Sequence, residues 1–551
     1  MFPFRLGLGL GLCLLSTAQA LPVPSDPPEV LGQLKIGPTT GGFLGAVGPF
    51  DGFGSAVAPV GDLDGNGLSE LAVGMPGSES PPGGAVWILF LAADDSVIAQ
   101  TRLDATTTGL SLDANDEFGA SLAALGDLDG DGHPELAVGA PNRGPGLFLG
   151  PGAVFVISLS ASGQALATHV LQEGVGGVPG PESGTGFGVA LAAAGDLDGD
   201  GTTDLAVSDT FGGMSSEAIW LLALESNFTV SSATSVTPHD PAFGGVPVSG
   251  EGFGHSLAGL GDLDGNGTPD LALGEPAAGP ANAGAAWLAF LAPGPSLASA
   301  VRIAPGLDGF TGPVADQAAF GNALAAGDLD HDDVTDLVVG AYFDDSLTGS
   351  AWILTLAPSG LVTHGQEFTD DGAQSFFGPL ELDDQFGSAV ALLADPGGDD
   401  QLVVGARGDG GSFLLGPGAV WALDLEEPDP WNSLGFALAG VDGPPLLIGA
   451  GPLLTGSLNS LSLKHAKAGS TAAIVLGFSL SLHPLKGGVL VPNADVLVPG
   501  LPTDANGELF LPFIWPAGVP SGFHLYFQDW IVDPAGPKGF SASNGLQALT
   551  P

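Results

Sequence analysis

Residues 62–70 read DLDGNGLSE, and the same loop returns as DLDGDGHPE at 127–135, DLDGDGTTD at 196–204, DLDGNGTPD at 262–270 and DLDHDDVTD at 328–336. Oxygen-bearing side chains stand at loop positions 1, 3, 5 and 9, and position 7 can turn its backbone carbonyl inward. Calcium takes roughly six to eight hard oxygen ligands, and alternate residues of a tight acidic loop can aim theirs at one point. The spacing predicts five calcium sites. The first uses Asp62, Asp64, Asn66, Leu68 and Glu70, and the second Asp127, Asp129, Asp131, His133 and Glu135. The third uses Asp196, Asp198, Asp200, Thr202 and Asp204, and the fourth Asp262, Asp264, Asn266, Thr268 and Asp270. The fifth uses Asp328, Asp330, Asp332, Val334 and Asp336. An EF-hand would share this opening but needs a bidentate Glu at position 12. Position 12 here is Val73, Val138, Val207, Leu273 or Val339, inside short apolar runs such as LAVG and LVVG. Each loop therefore leads into a buried strand.

Around the loops a longer unit repeats, and a period of this size outranks any local reading. A Phe-Gly pair precedes each loop, at Phe53, Phe118, Phe187, Phe253 and Phe320, and a sixth pair begins at Phe386, giving intervals of 65, 69, 66, 67 and 66 residues. After each loop comes an apolar run with an aromatic residue third: Trp87, Phe155, Trp220, Trp287, Trp352 and Trp421. The sixth unit keeps the Phe-Gly pair and Trp421 but lacks the acidic loop, since Asp395 is followed by PGGDDQLVVGA. Packing and metal binding are thus separable. Strands that are apolar along their whole length must be covered on both faces, and a ring of stacked four-stranded blades supplies that cover.

These units resemble FG-GAP repeats, the blades of the integrin alpha-chain β-propeller. The Phe-Gly pair and the acidic loop carry the resemblance, with Gly139-Ala140-Pro141, and more loosely Gly74-Met75-Pro76 and Gly274-Glu275-Pro276, as the third element; Ser208-Asp209-Thr210 has lost it. The resemblance spans roughly residues 31 to 425. It implies calcium loops gathered on one face, away from the face where integrins bind ligands. Integrins carry seven blades and six units are visible here, so the expectation is six blades, with LGQLKI at 31–36 closing the ring as an outer strand of the last.

The first 20 residues combine Arg5, an apolar stretch and Ala18-Gln19-Ala20, and read as a signal peptide cleaved before Leu21. Cys13 lies within it, and Leu12 stands where a lipoprotein signal needs a small residue. A mature chain without cysteine cannot use disulfides, so calcium and sheet closure would brace the fold. Ten basic residues against 61 acidic ones, a net charge of −51, argue against nucleic acid and anionic membranes as partners. If each loop binds calcium at a Kd near 10⁻⁴ to 10⁻³ M, millimolar calcium adds on the order of 1 kcal/mol per site. The fifth loop has Asp333 at position 6, where the others have Gly to take positive φ, and is expected to bind most weakly.

EEPDP at 426–430 reads as a linker, and the remainder, 431–551, as a small β-sandwich built from runs such as AAIVLGFSL and FHLYFQDWIV. Leu447-Ile448-Gly449, Trp515-Pro516, Gly536-Pro537-Lys538-Gly539 and Ser543-Asn544 resemble a C-terminal module that recurs on secreted bacterial repeat proteins. Trp515, Tyr526 and Trp530 are either a sugar-stacking face or, as is usual in small sandwiches, core. Arg407-Gly408-Asp409 spells an integrin-recognised tripeptide but falls on the sixth unit's Gly-Ala-Pro position, where it is better explained by chance. The chain carries no HExxH, no G-x-S-x-G elbow and no phosphate-cradling Gly loop, so an enzyme is not expected. The expected protein is a secreted monomer with structural calcium, serving as a binding or adhesion module for an extracellular protein or carbohydrate. The alternatives are an extracellular hydrolase or lyase using the propeller channel, and a purely structural envelope or matrix protein.

Overall fold

A computed structural model describes residues 29–550, apart from 79, 145–149, 180–185, 210–216, 246, 248–250, 280, 331, 333, 370–375, 377, 395–399, 412–415, 427–430, 436, 440–444, 451–452, 454–456, 487, 505, 517–518, 520–522 and 535. The leader expected at 1–20 and the linker expected at 426–430 lie largely outside the described residues. Two compact units are resolved, of which Asp26–Asp429 is the larger.

The larger unit is a six-bladed propeller. Blade 1 runs Val57–Gly61, Glu70–Met75, Ala85–Leu91 and Val97–Leu103, each strand antiparallel to the next, and blades 2 to 5 repeat this order. The innermost strands touch their neighbours in cyclic order, with Phe386–Ala394 of blade 6 against Val57–Gly61 of blade 1. Blade 6 takes its outermost strand from the chain's other end: Glu29–Ile36 pairs antiparallel with Ala419–Glu426, from Ile36 opposite Val420 to Glu29 opposite Glu426. This is the closure and the blade number expected from the sequence.

The second and third strands of blade 1 are buried at every residue, whereas the outer strand Val97–Leu103 is exposed along its middle. That pattern explains the unbroken apolar runs: six hydrophobic cores fill the six spaces between blades. Each Phe of a Phe-Gly pair is fully buried in one of them. The amides of Phe53, Phe118, Phe187, Phe320 and Phe386 reach back to the preceding blade, Phe118 to the Gly83 carbonyl at 2.9 Å and Phe187 to that of Pro151 at 3.0 Å. The following glycine has no room for a side chain. At Gly119, φ is 95° and a methyl group would strike the Ala85 carbonyl.

A further aromatic residue ten positions before the Phe-Gly pair completes the packing in four blades. Phe43 stacks on Phe53 at 4.7 Å and meets Trp87 edge-on at 5.2 Å; Phe310 and Phe376 do the same with their own Phe and Trp, while Phe243 meets both Phe253 and Trp287 edge-on. The regular offset was visible in the sequence, but these residues sit in loops, where periodicity gives no signal.

The unit Pro430–Pro551 has its own core. Its larger sheet runs in the order Trp431–Gly435, Gly545–Leu549, His524–Val532, Thr471–Gly477 and Val496–Pro502, with Phe540–Ala542 also on His524–Val532. A three-stranded sheet, Leu446–Ala450, Leu458–Lys464 and Leu509–Ile514, contributes Leu447, Leu461 and Leu463 to the same core as Ile474, Phe527 and Ile531. Two facing sheets around one core make the expected sandwich.

Candidate functional site

In each of blades 1 to 5 the acidic loop joins the first strand to the second, so all five open at one end of the propeller. Position 9 is the first residue of the second strand, and Glu70, Glu135, Asp204, Asp270 and Asp336 are all buried at the base of their loops. One oxygen of each accepts the position 2 amide, from Leu128 at 2.8 Å in loop 2 and Leu197 at 2.7 Å in loop 3. Position 1 is held by the loop's own amides; Asp196 accepts Gly199 at 2.7 Å and Gly201 at 2.9 Å. Gly67, Gly132, Gly201 and Gly267 at position 6 all take φ near 90° to present those amides.

In the first four loops positions 1, 3 and 9 bring carboxylate oxygens within 4.8 Å of one another: Asp62, Asp64 and Glu70; Asp127, Asp129 and Glu135; Asp196, Asp198 and Asp204; Asp262, Asp264 and Asp270. Position 5 turns an oxygen onto the position 7 amide, as Asn66 does to Leu68 at 2.6 Å, Asp131 to His133 at 2.8 Å, Asp200 to Thr202 at 2.7 Å and Asn266 to Thr268 at 2.9 Å. This bond folds the loop and leaves position 7 backbone beside the cluster.

The donor set fits a cation. Among the described residues Glu70 Oε1 is buried with no hydrogen-bond partner, and a buried carboxylate oxygen left unpaired is costly. Burial, with Asp64 and Asp62 alongside, pushes Glu70 up to about 7. Burial likewise raises Asp204 and Asp270 to about 6. A divalent ion at the cluster would favour the ionised forms instead.

The fifth loop departs from the expected ligand set. Its cluster is Asp328, Asp330 and Asp332, not Asp336. Asp336 accepts the Leu329 and Leu356 amides at 3.0 Å each, the same pair of bonds that Asp204 and Asp270 make inside their clusters, so that bonding does not set it apart; burial beside Asp330 pushes it up to about 8. A β-bulge accounts for part of the difference. Blades 1 to 4 each carry an extra residue late in the first strand, as between Pro59 and Gly61, while blade 5 pairs Ala323 to Gly327 without a shift. The Phe-Gly pair correspondingly stands nine residues before loops 1 to 4 and eight before loop 5. Bulges re-aim side chains next to sites, and here one is missing. Val334 keeps its amide bond to Asp332 at 2.8 Å. Position 6, Asp333, and His331 lie outside the described residues.

At the opposite end, the residues after the Phe-Gly pairs of blades 4 to 6 and the third residues of the Gly-Ala-Pro elements of blades 5 and 6 lie together at the channel mouth. In blades 5 and 6 that third residue is Tyr342 and Arg407. The Arg407 guanidinium lies 5.0 Å from the Tyr342 ring centroid, and its Nε donates to Gln385 Oε1 at 2.6 Å. His255 and Asn322 follow the Phe-Gly pairs of blades 4 and 5 and hydrogen-bond to each other. Asn322 Nδ2 also donates to the Ser388 carbonyl at 3.1 Å. Asp409 is buried and ion-paired with Lys35, so Arg407-Gly408-Asp409 is part of the packed blade and is not a displayed tripeptide. The sugar-stacking alternative for Trp515, Tyr526 and Trp530 is also overturned: all three are buried.

Residues 53–89, 118–157, 253–288 and 320–354 match the FG-GAP repeat. They correspond to blades 1, 2, 4 and 5; blades 3 and 6, whose sequences lose the Gly-Ala-Pro or the acidic loop, have the same four-stranded order. The fold is an FG-GAP β-propeller. Mouse integrin alpha-IIb is 35% identical over 161 residues, 28% of this chain and 14% of that protein. Human integrin alpha-IIb is 30% identical over 230 residues, 41% of this chain and 20% of that protein. Mouse phosphatidylinositol-glycan-specific phospholipase D is 32% identical over 155 residues, 27% of this chain and 17% of that protein. The chain thus spans no more than a fifth of the length of these relatives. Among the described residues, no helix is long and apolar enough to cross a membrane.

Proposed function

We propose that this is an extracellular binding or adhesion module whose propeller is braced by calcium in the acidic loops. The observation that carries the reading is the division between the two ends. The loop end repeats the same acidic pattern in five blades, while at the opposite end the third position of the Gly-Ala-Pro element, proline at Pro76, Pro141 and Pro276, becomes Tyr342 and Arg407 in blades 5 and 6. A repeat holds constant what packing and bracing need, and varied side chains on a rigid frame are suited to recognition. Calcium fits the all-oxygen donor set, and its role is structural, since the loops lie at the end away from the varied mouth.

The His255 and Arg407 cluster is the one observation that favours an enzyme in the channel. His255 meets water at the mouth but is walled in by protein elsewhere, and burial beside Arg407 pushes it down to about 4. An imidazole so hard to protonate is a weak base at neutral pH, which fits recognition better than proton transfer.

The test is binding of the calcium-loaded chain to panels of purified extracellular proteins and glycans, comparing Tyr342→Ala with a substitution on an exposed outer strand, Ile98→Ser. Retention that Tyr342→Ala abolishes and Ile98→Ser leaves intact is the expected result. No retention on either panel, or equal binding by both variants, would overturn the reading.

A further inference from the structure

The propeller's basic residues are Lys35, Arg102, Arg143, Arg302 and Arg407. Four of them are neutralised in the same way. Lys35 pairs with Asp409, Arg102 with Asp104 at 3.0 Å, Arg143 with Asp116 at 3.9 Å and Arg302 with Glu275 at 3.9 Å, and each lies over the aromatic residue of a third strand. Their role is packing. Arg407 differs: among the described residues it makes no ion pair, and it is exposed at the channel mouth. In a chain with 61 acidic residues, a guanidinium without an ion pair among the described residues stands out.

We infer that the channel mouth is a recognition site for an organic carboxylate, with Arg407 as its anchor. Gln385, buried and bonded to Nε, and Tyr342, whose ring lies beside the guanidinium and whose side chain is hydrogen-bonded to it, fix the plane of an exposed guanidinium that carries five N–H donors in all. A planar, always-charged fork held in one orientation is suited to bidentate carboxylate contact. His255 and Asn322 stand beside it as further polar groups.

A pocket of about 290 Å³ opens beside Arg407 between blades 6 and 1 and also exposes Phe50. Its two carboxylates are turned to partners: Asp51 Oδ2 accepts the Gly48 amide at 2.7 Å, and Glu117 is bonded to Asn142. The volume suits a small acid or a single acidic side chain. The acidic loops do not repel it strongly, because five-residue strands separate the two ends by roughly 15 Å, more than the Debye length of about 8 to 10 Å.

This inference rests on the binding-module reading but can fail separately from it. The test is an NMR titration of the calcium-loaded full chain, labelled at histidine, with acetate and with a blocked tripeptide containing one Asp, at constant ionic strength and pH 7. Expected is a saturable shift of the His255 ring resonances with both probes, at a Kd on the order of 10 mM or tighter. Arg407→Gln abolishes it, and Arg407→Lys, which keeps the charge without the fork, weakens it about tenfold. A response to acetate alone assigns a free small acid as the ligand, and a tighter response to the peptide assigns a partner's side chain. No saturable shift with either probe, or the same shift in a folded Arg407→Gln variant, overturns the site and leaves protein or glycan binding by the same mouth standing.

Discussion

The Phe53 amide donates to the Pro417 carbonyl at 3.0 Å, joining the first blade to the sixth by the same bond that Phe118 makes to Gly83 and Phe386 to Thr348. The ring therefore closes with a contact of the kind that stacks blade on blade. Glu29–Ile36 then locks the seam from outside, placing the propeller's two ends in one sheet.

Ile36 is the residue on which that lock turns. It is fully buried against Phe43, Phe53 and Val420, between blades 6 and 1. Ile36→Ala should cost about 2–5 kcal/mol, as core truncations do. Deleting 29–36 should do more, exposing the edge of Ala419–Glu426 and promoting association. Thermal melts and light scattering check both; a deletion that stays monomeric and melts at the parent temperature would contradict the closure.

Gly119→Ala should destabilise by more than the ~1 kcal/mol typical of a helix or strand glycine, because φ is 95° and the new methyl meets the Ala85 carbonyl. Gly109→Ala is the control, with φ 72° but open space around it. Equal losses at the two positions would mean that strain alone, and not blade contact, explains the Phe-Gly pair.

Removing divalent ions should lower the propeller's melting temperature, with on the order of 1 kcal/mol lost per occupied loop at millimolar calcium. Calorimetric titration should give four similar sites and a weaker fifth. Asp196→Asn should remove one of the four, whereas Asp332→Asn should remove only the weak one, whose cluster omits position 9. Five equivalent affinities would show that the missing bulge has no consequence.

Asp529 should make the C-terminal unit lose stability as pH rises. It is fully buried, neither oxygen has a partner among the described residues, and burial raises it to about 7. Unfolded, it ionises near its ordinary value of 3.8. The folded form therefore holds its proton through a window in which the unfolded form does not, so stability falls from about pH 4 to about pH 7 and levels off above, by a few kcal/mol. Asp529→Asn should flatten this slope and melt higher than the parent at pH 8. Scanning calorimetry of the full chain from pH 5 to 8 reads the effect, and a parent that gains stability over that window would contradict it.

What the sequence determined by itself was whatever repeats. The five loops, the six Phe-Gly pairs and the aromatic third residue recur at one spacing because every blade must pack against two others, and a requirement met six times leaves six copies. The closing strand was legible for a related reason: six inner triplets of strands need one more outer partner, and only residues 31–36 were left to provide it. What occurs once was decided by tertiary structure. Loop 5, whose cluster omits Asp336, also lacks the bulge that the first strands of blades 1 to 4 carry, a difference of one residue. Arg407, Tyr342, His255 and Asn322 lie in three different units, tens of residues apart, and became neighbours only when the ring brought the ends of its inner strands to a single mouth. No local pattern encodes that meeting, because the force behind it is the burial of the six cores between blades, not any attraction among the four residues themselves.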